Sequence, residues 1–178
     1  AKAYRYKQEG RPVPGYLARL VKLFDRPVYS KIRERLGGEI RVAISGSAPL
    51  AKDLADFFGA IGLPMVEGYG LSEAGVTTMN PVDRPKSGSI GKMLPGVEAK
   101  LAEDGELMIG GPTLFNGYFR DRDATESVMR GGWLLTGDIG EVDSEGYWYI
   151  TGRKKEIIVS SNGKKIYPAR IEALFKSE

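Results

Sequence analysis

Residues 39–71 constrain the fold more than any other stretch. "EIRVAIS" (39–45) is a short apolar run that reads as a buried strand, and from Pro49 onward Leu50, Leu54, Phe57, Phe58 and Ile61 share one face of a helix. Gly62 stands where a helix ends in a left-handed residue, and "PMVEGYG" (64–70) returns as a second strand. A strand–helix–strand crossover joins parallel neighbours of one sheet. Parallel sheets gather ligands beyond the carboxyl ends of their strands. Two loops stand at those ends, "SGSAPL" (45–50) and "GYGLSE" (68–73).

Before this unit, Leu17, Leu20, Val21 and Phe24 keep helical spacing, and Val28, Ile32 and Leu36 continue it. Asp25-Arg26-Pro27 breaks or kinks the run, because proline lacks the donor a helix interior needs, and Gly37-Gly38 ends it. After residue 89 the pattern becomes antiparallel. "VEAKL", the Asp104-Gly105 turn and "ELMI" form a hairpin, and "WLLTGDIGEV" and "YWYITG" are strands joined by "DSEG". A short helix near 123–129 opens with Asp123-x-x-Glu126, a capping-box pattern. From Arg153 a strand, an Asn162-Gly163 turn, a second strand and a helix begun by Pro168, with Ile171, Leu174 and Phe175 on one face, make a ββα piece. The expected class is α/β: part of a parallel αβ unit (1–89), a mostly β subdomain (90–152), and the start of a small domain (153–178).

The chain has 178 residues, a net charge of +3, no cysteine and no histidine. Disulfides, thiolate sites, imidazole bases and every Ser-His or Cys-His triad are thereby excluded. The 26 basic side chains are scattered among 23 acidic ones, which argues against a nucleic-acid partner. No apolar run approaches the ~20 residues of a membrane span, and "AKAYRYKQEG" is not a signal peptide, so a cytoplasmic location is expected.

Four stretches carry chemistry. Tyr69 lies between Gly68 and Gly70, where a ring can meet a planar base and glycine admits close approach. Ser72 can donate to a phosphate oxygen, and Glu73 is an oxygen ligand suited to Mg²⁺. Gly46, Ser47 and Ala48 offer free N–H groups ahead of a helix. Asp138, in "LLTGDIG", can accept from vicinal sugar hydroxyls, and Arg153, in "GRKKE", can fork onto a ribose or phosphate. Each stretch has an ordinary alternative as a turn, a cap or a solvated basic run. The order of all four is what weighs against that alternative.

"SGSAPL", "EGYGLSEAG", "GPTLFNGYFRDRDAT", "WLLTGDIG" and "GRKKEIIVSSNGKKIYP" resemble the successive motifs of the adenylate-forming enzymes, and the last is most similar to bacterial long-chain fatty acid–CoA ligases. The resemblance implies that ATP and a fatty acid give an acyl-adenylate, and that coenzyme A then takes the acyl group and releases AMP. It implies that Gly46, Ser47 and Ala48 line the adenine, and that Gly68, Tyr69, Gly70 and Leu71 form the loop whose tyrosine stacks on it. Ser72, where the family more often has threonine, is implied to contact the α-phosphate, and Glu73 to hold Mg²⁺. Asp138 and Arg153 match ribose ligands, Ile150 packs nearby, and Lys155 matches the hinge of the small domain.

Two family features do not occur in these 178 residues. One is a Ser/Thr/Gly-rich phosphate loop ending in Pro-Lys-Gly, expected upstream of "SGSAPL"; the other is a catalytic lysine late in the small domain. The expectation is therefore a fragment of a longer ligase, at best a weak nucleotide binder alone. Peripheral membrane association of the parent and self-association of the fragment through an exposed sheet edge complete the expected partners. An amino-acid adenylation domain, an aryl-CoA ligase and a non-catalytic interaction module remain alternatives.

Overall fold

A computed structural model describes residues 2–159, 165, 166 and 168. The chain divides into two compact units. The first comprises residues 1–67 and 80–88, the second 68–79 and 89–178.

The first unit opens with helix α1 (Lys2–Gln8) and helix α2 (Gly15–Phe24). A wide π-type turn, Asp25–Tyr29, follows and leads into α3 (Ser30–Arg35). The expected kink is thus a widened turn around Pro27, which accommodates a residue with no N–H to give. Gly37 and Gly38 both take positive φ, and α3 ends there. Strand β1 covers only Ala43–Ser45 of the expected 39–45, and it pairs in parallel with the first part of β2 (Met65–Leu71). Helix α4 (Lys52–Ala60) connects them, and Gly62, at φ +87°, lies just past its end as expected.

The buried face of α4 differs from the expected one. Leu54 and Phe57 are exposed, while Ala55 and Asp56 are buried. The reason is polar. Arg5 Nε donates to Asp56 Oδ2 at 2.7 Å and the Ser87 hydroxyl donates to Oδ1 at 2.9 Å, so this carboxylate is held inside. Gly59 completes the face: a Cβ there would lie 2.1 Å from the Tyr4 ring, so only glycine lets α1 seat its tyrosine on α4. Likewise α2 buries none of its residues, with Leu20 and Phe24 of its apolar stripe exposed.

The second unit is antiparallel. Gly68–Leu71 of β2 pair with β3 (Gly75–Met79), which pairs with β4 (Lys92–Met93). A larger sheet runs β5 (Glu98–Leu101), β6 (Glu106–Gly110), β8 (Trp133–Val142), β7 (Met129–Arg130), with β9 (Trp148–Arg153) also on β8. Ala74, Val97, Leu107, Ile109 and Leu134 form its core, with Tyr69, Leu71, Phe115 and Ile150 packed against them. Helix α5 spans Arg122–Val128, and its N-cap is Asp121, whose side chain accepts from the Ala124 N–H at 2.9 Å. The cap therefore sits two residues before the expected Asp123 pair, because Asp121 has the non-helical backbone a cap needs. A 3₁₀ turn (Lys154–Glu156) follows β9, and β10 (Ile158–Val159) pairs antiparallel with β11 (Lys165–Ile166). The Asn162-Gly163 turn and the helix residues Ile171, Leu174 and Phe175 lie outside the described residues. No helix among the described residues is long and apolar enough to cross a membrane. The α/β class with an antiparallel second part agrees with the sequence reading.

Candidate functional site

Strand β2 runs through Leu71, one residue past the strand expected over 64–70, so of the expected loop 68–73 only the tight reversal at Ser72–Ala74 is left to join it to β3. Both glycines of this stretch lie against β3. A Cβ on Gly70 would stand 2.3 Å from the Gly75 carbonyl oxygen and 2.9 Å from Val76 Cα, and one on Gly68 would lie 2.9 Å from the Met79 methyl. Close approach of the β3 backbone therefore accounts for Gly70 without a ligand, whereas at Gly68 the nearest atom is the flexible tip of Met79. The register shifts between Tyr69 and Gly70, a bulge that re-aims the tyrosine.

Tyr69 turns toward β8. Its hydroxyl donates to Asp138 Oδ2 at 2.5 Å, and Arg153 Nε donates to Oδ1 at 3.0 Å. Asp138 is 2% exposed, whereas Arg153 is open to solvent. Asp138 lies inside β8 rather than in a turn; Gly137, at φ +73°, kinks the strand just before it. Arg153, the last residue of β9, is its cross-strand partner. Burial, then the bond to Asp138, pushes the Tyr69 phenol well above the usual tyrosine range, so it remains a donor at neutral pH. One tyrosine on β2, one buried carboxylate on β8 and one exposed guanidinium on β9 thus meet between two sheets. Half-buried Ile150 packs on the same core as Tyr69.

Glu73 stands in the reversal after β2, and Ser72 before it is exposed. Tyr118 O–H donates to Glu73 Oε1 at 2.6 Å, the Phe115 N–H donates to the Glu73 carbonyl at 2.7 Å, and the Phe115 ring meets Tyr118 edge-on at 4.9 Å. The bond to Glu73 raises the Tyr118 phenol above its ordinary value. Tyr118 lies in the motif "GPTLFNGYFRDRDAT", but its partner is 45 residues away in sequence, and only the fold brings it to Glu73. Among the described residues no three acidic side chains converge as a cage. Glu73 instead fits the way Mg²⁺ is usually held, by one or two carboxylates with waters and substrate phosphates completing the shell, since Tyr118 engages only Oε1.

Gly46, Ser47 and Ala48 belong to the first unit, exposed between β1 and α4. Ser47 takes φ +65°, a left-handed backbone that is uncommon outside glycine. Just beyond them, the Leu50 N–H donates to Glu67 Oε1 at 3.3 Å and the Gly88 N–H to Oε2 at 3.0 Å. Burial raises the Glu67 carboxyl above the ordinary glutamate range, with the two N–H groups opposing it. Lys155 is exposed in the 3₁₀ turn after β9.

A profile of the AMP-binding enzyme family matches residues 11–119, more than half of the chain. The chain belongs to the AMP-binding enzyme family. A long-chain-fatty-acid–CoA ligase of Mycobacterium bovis is 47% identical over 161 residues, which cover 89% of this chain and 27% of that protein. A long chain acyl-CoA synthetase of Arabidopsis thaliana is 36% identical over 169 residues, covering 86% of this chain and 25% of that one. The chain thus spans about a quarter of the length of these relatives. Among solved structures, the O-succinylbenzoate–coenzyme A synthetase of Bacillus subtilis in complex with ATP and magnesium ion superposes with a TM-score of 0.71 at 32% identity, covering 77% of this chain and 31% of that one.

Proposed function

We propose that this segment supplies the sugar-facing and metal-facing part of the nucleotide site of a long-chain fatty acid–CoA ligase. The whole enzyme would join ATP and a fatty acid to an acyl-adenylate, then transfer the acyl group to coenzyme A and release AMP. The observation that carries the reading is the Tyr69–Asp138–Arg153 constellation, held within 2.5–3.0 Å where β2 meets β8 and β9, in a chain that belongs to the AMP-binding family. Identity of 47% to a long-chain ligase against 32% to the succinylbenzoate enzyme favours a long-chain acid over an aryl one.

The chemistry suits a chain without histidine. Displacement at phosphorus needs in-line positioning and charge stabilisation more than a proton shuttle. Asp138 would accept from the ribose hydroxyls while Arg153 holds its carboxylate in place. Tyr69, its hydroxyl anchored, would present a ring that cannot swing away from the base. Ser72 would donate to the α-phosphate, and Glu73 would hold Mg²⁺, which neutralises phosphate charge when bound. Gly46, Ser47 and Ala48 would line the adenine, and Lys155 would serve as the hinge of the small domain.

Calorimetric titration with AMP and with Mg-ATP tests the reading on the 178-residue chain. Weak binding, lost in both Tyr69→Ala and Asp138→Ala, is the expected result, with no ATP–pyrophosphate exchange by the chain alone. Binding that survives Asp138→Ala would overturn the assignment of the sugar ligand.

A further inference from the structure

We infer that Glu106 is a positioning residue for the Asp138–Arg153 pair, an inference that rests on the reading of that pair as the ribose-binding group. Glu106 opens β6 and is 5% exposed, an acidic side chain at the start of the most buried strand of the sheet. Each of its oxygens is committed. The Gly137 N–H donates to Oε1 at 2.8 Å, and Lys154 Nζ donates to Oε2 at 2.7 Å. Gly137 immediately precedes Asp138, and Lys154 immediately follows Arg153. One carboxylate therefore grips the neighbour of each member of the pair.

The backbone needs such a grip at this point. Between Glu106 and Met108 the β6–β8 register shifts, and between Ile139 and Gly140 the β8–β9 register shifts as well. Asp138 and Arg153 face each other beside two irregularities, where ladder hydrogen bonds alone hold register poorly. Gly137 adds a left-handed residue to the same turn of chain. Three further bonds point the same way. Thr136 Oγ1 donates to the Leu107 carbonyl at 2.7 Å and accepts from the Asp138 N–H at 3.1 Å, and Lys154 reaches a second carboxylate, Asp104 Oδ2, at 2.6 Å. Asp104 and Glu106 together hold the Lys154 ammonium above its usual pKa.

The test uses the 178-residue chain with Glu106→Gln, which keeps an acceptor for Gly137 but removes the charged acceptor for Lys154. Lys154→Met, at a half-exposed position, is the second variant should the first fail to fold. In ¹⁵N NMR, the Arg153 Nε–H resonance should lose the shift caused by Asp138 in both variants, while amides of Leu107, Ile109 and Leu134 keep their protection. An unmoved Arg153 resonance, or a uniform loss of protection, would overturn the inference. Affinities for AMP and 2′,3′-dideoxy-AMP give a second readout, with Asp138→Asn as reference. Glu106→Gln should lower the preference for AMP roughly tenfold, a change that a general loss of folded protein would not produce, since both ligands would then weaken together. If Asp138→Asn leaves the preference unchanged, the ribose reading fails and the Arg153 resonance alone decides the positioning role. If Asp138→Asn abolishes the preference and Glu106→Gln does not alter it, the positioning role fails.

Discussion

Gly70 and Glu67 lie three residues apart on one strand, and each has a role that its chemistry alone does not announce. Gly70 reads as a place for a ligand to approach, yet a side chain there would collide with the backbone of β3 at Gly75 and Val76. Backbone yields less readily than a side-chain tip, so Gly70→Ala should cost about 1–3 kcal/mol, the range for overpacking, measured by urea unfolding. A neutral result would mean that β3 can shift without loss. Glu67 reads as one more polar residue of a strand, but it is buried against the Leu50 and Gly88 N–H groups with its pKa raised. The folded state then binds a proton more tightly than the unfolded chain. The stability this contributes is full below the ordinary glutamate value of about 4.5 and is lost as pH rises through the folded value. Chemical denaturation across that window should show stability falling with pH, and Glu67→Gln should flatten the slope. An unchanged slope would mean that other groups set it.

Helix α5 offers the sharpest contrast between neighbouring positions in one element. Asp121→Ala removes the bond to the Ala124 N–H and should cost about 1 kcal/mol, the usual worth of an N-cap. Asp123→Ala removes only a charge in the first turn, about 0.3–1 kcal/mol at low salt, and its effect should fade as salt is added. Thermal melts of the two variants at low and high salt would separate them; equal, salt-sensitive losses would contradict the cap at Asp121. Elements in this chain were legible where the signal is local. Gly62 ends α4, Pro27 kinks the second helix, the Asp104-Gly105 turn joins β5 to β6, and the parallel pairing of β1 with β2 follows from the crossover. They were illegible where a distant partner decides. The inward face of α4 is set by Arg5 and Ser87 on Asp56, and β1 is shorter than its apolar run because only Ala43–Ser45 find partners on β2. The site follows the same division. Tyr69, Asp138 and Arg153 stand out as aromatic or charged residues beside glycine, but Tyr118 and Glu106 also follow a glycine, and only their partners across the fold single those two out.

At the scale of the whole chain, the two units differ in how completely each buries its apolar surface. The second has a continuous core in which Ala74, Leu107 and Ile109 are fully enclosed. The first exposes Tyr16, Leu20, Leu23 and Phe24 along α2, and Leu54 and Phe57 along α4. A ten-residue helix has little stability of its own in water and depends on burying its apolar face. Amides of α2 should therefore open by local fraying, while those of β6 and β8 should open only with the second unit as a whole. Hydrogen exchange followed by mass spectrometry should find α2 exchanging on the order of a hundredfold faster or more than β6 and β8, since local and global openings commonly differ by several kcal/mol. Equal protection would contradict this, because a helix with no buried residue cannot be as protected as the core unless something covers it. Light scattering across protein concentration would then decide whether the cover is a second copy, as an exposed apolar face and the short strand β1 with Ile44 open to solvent would allow. A clean monomer with a protected α2 would leave the helix stabilised by its own unit, and the argument from burial would fail there.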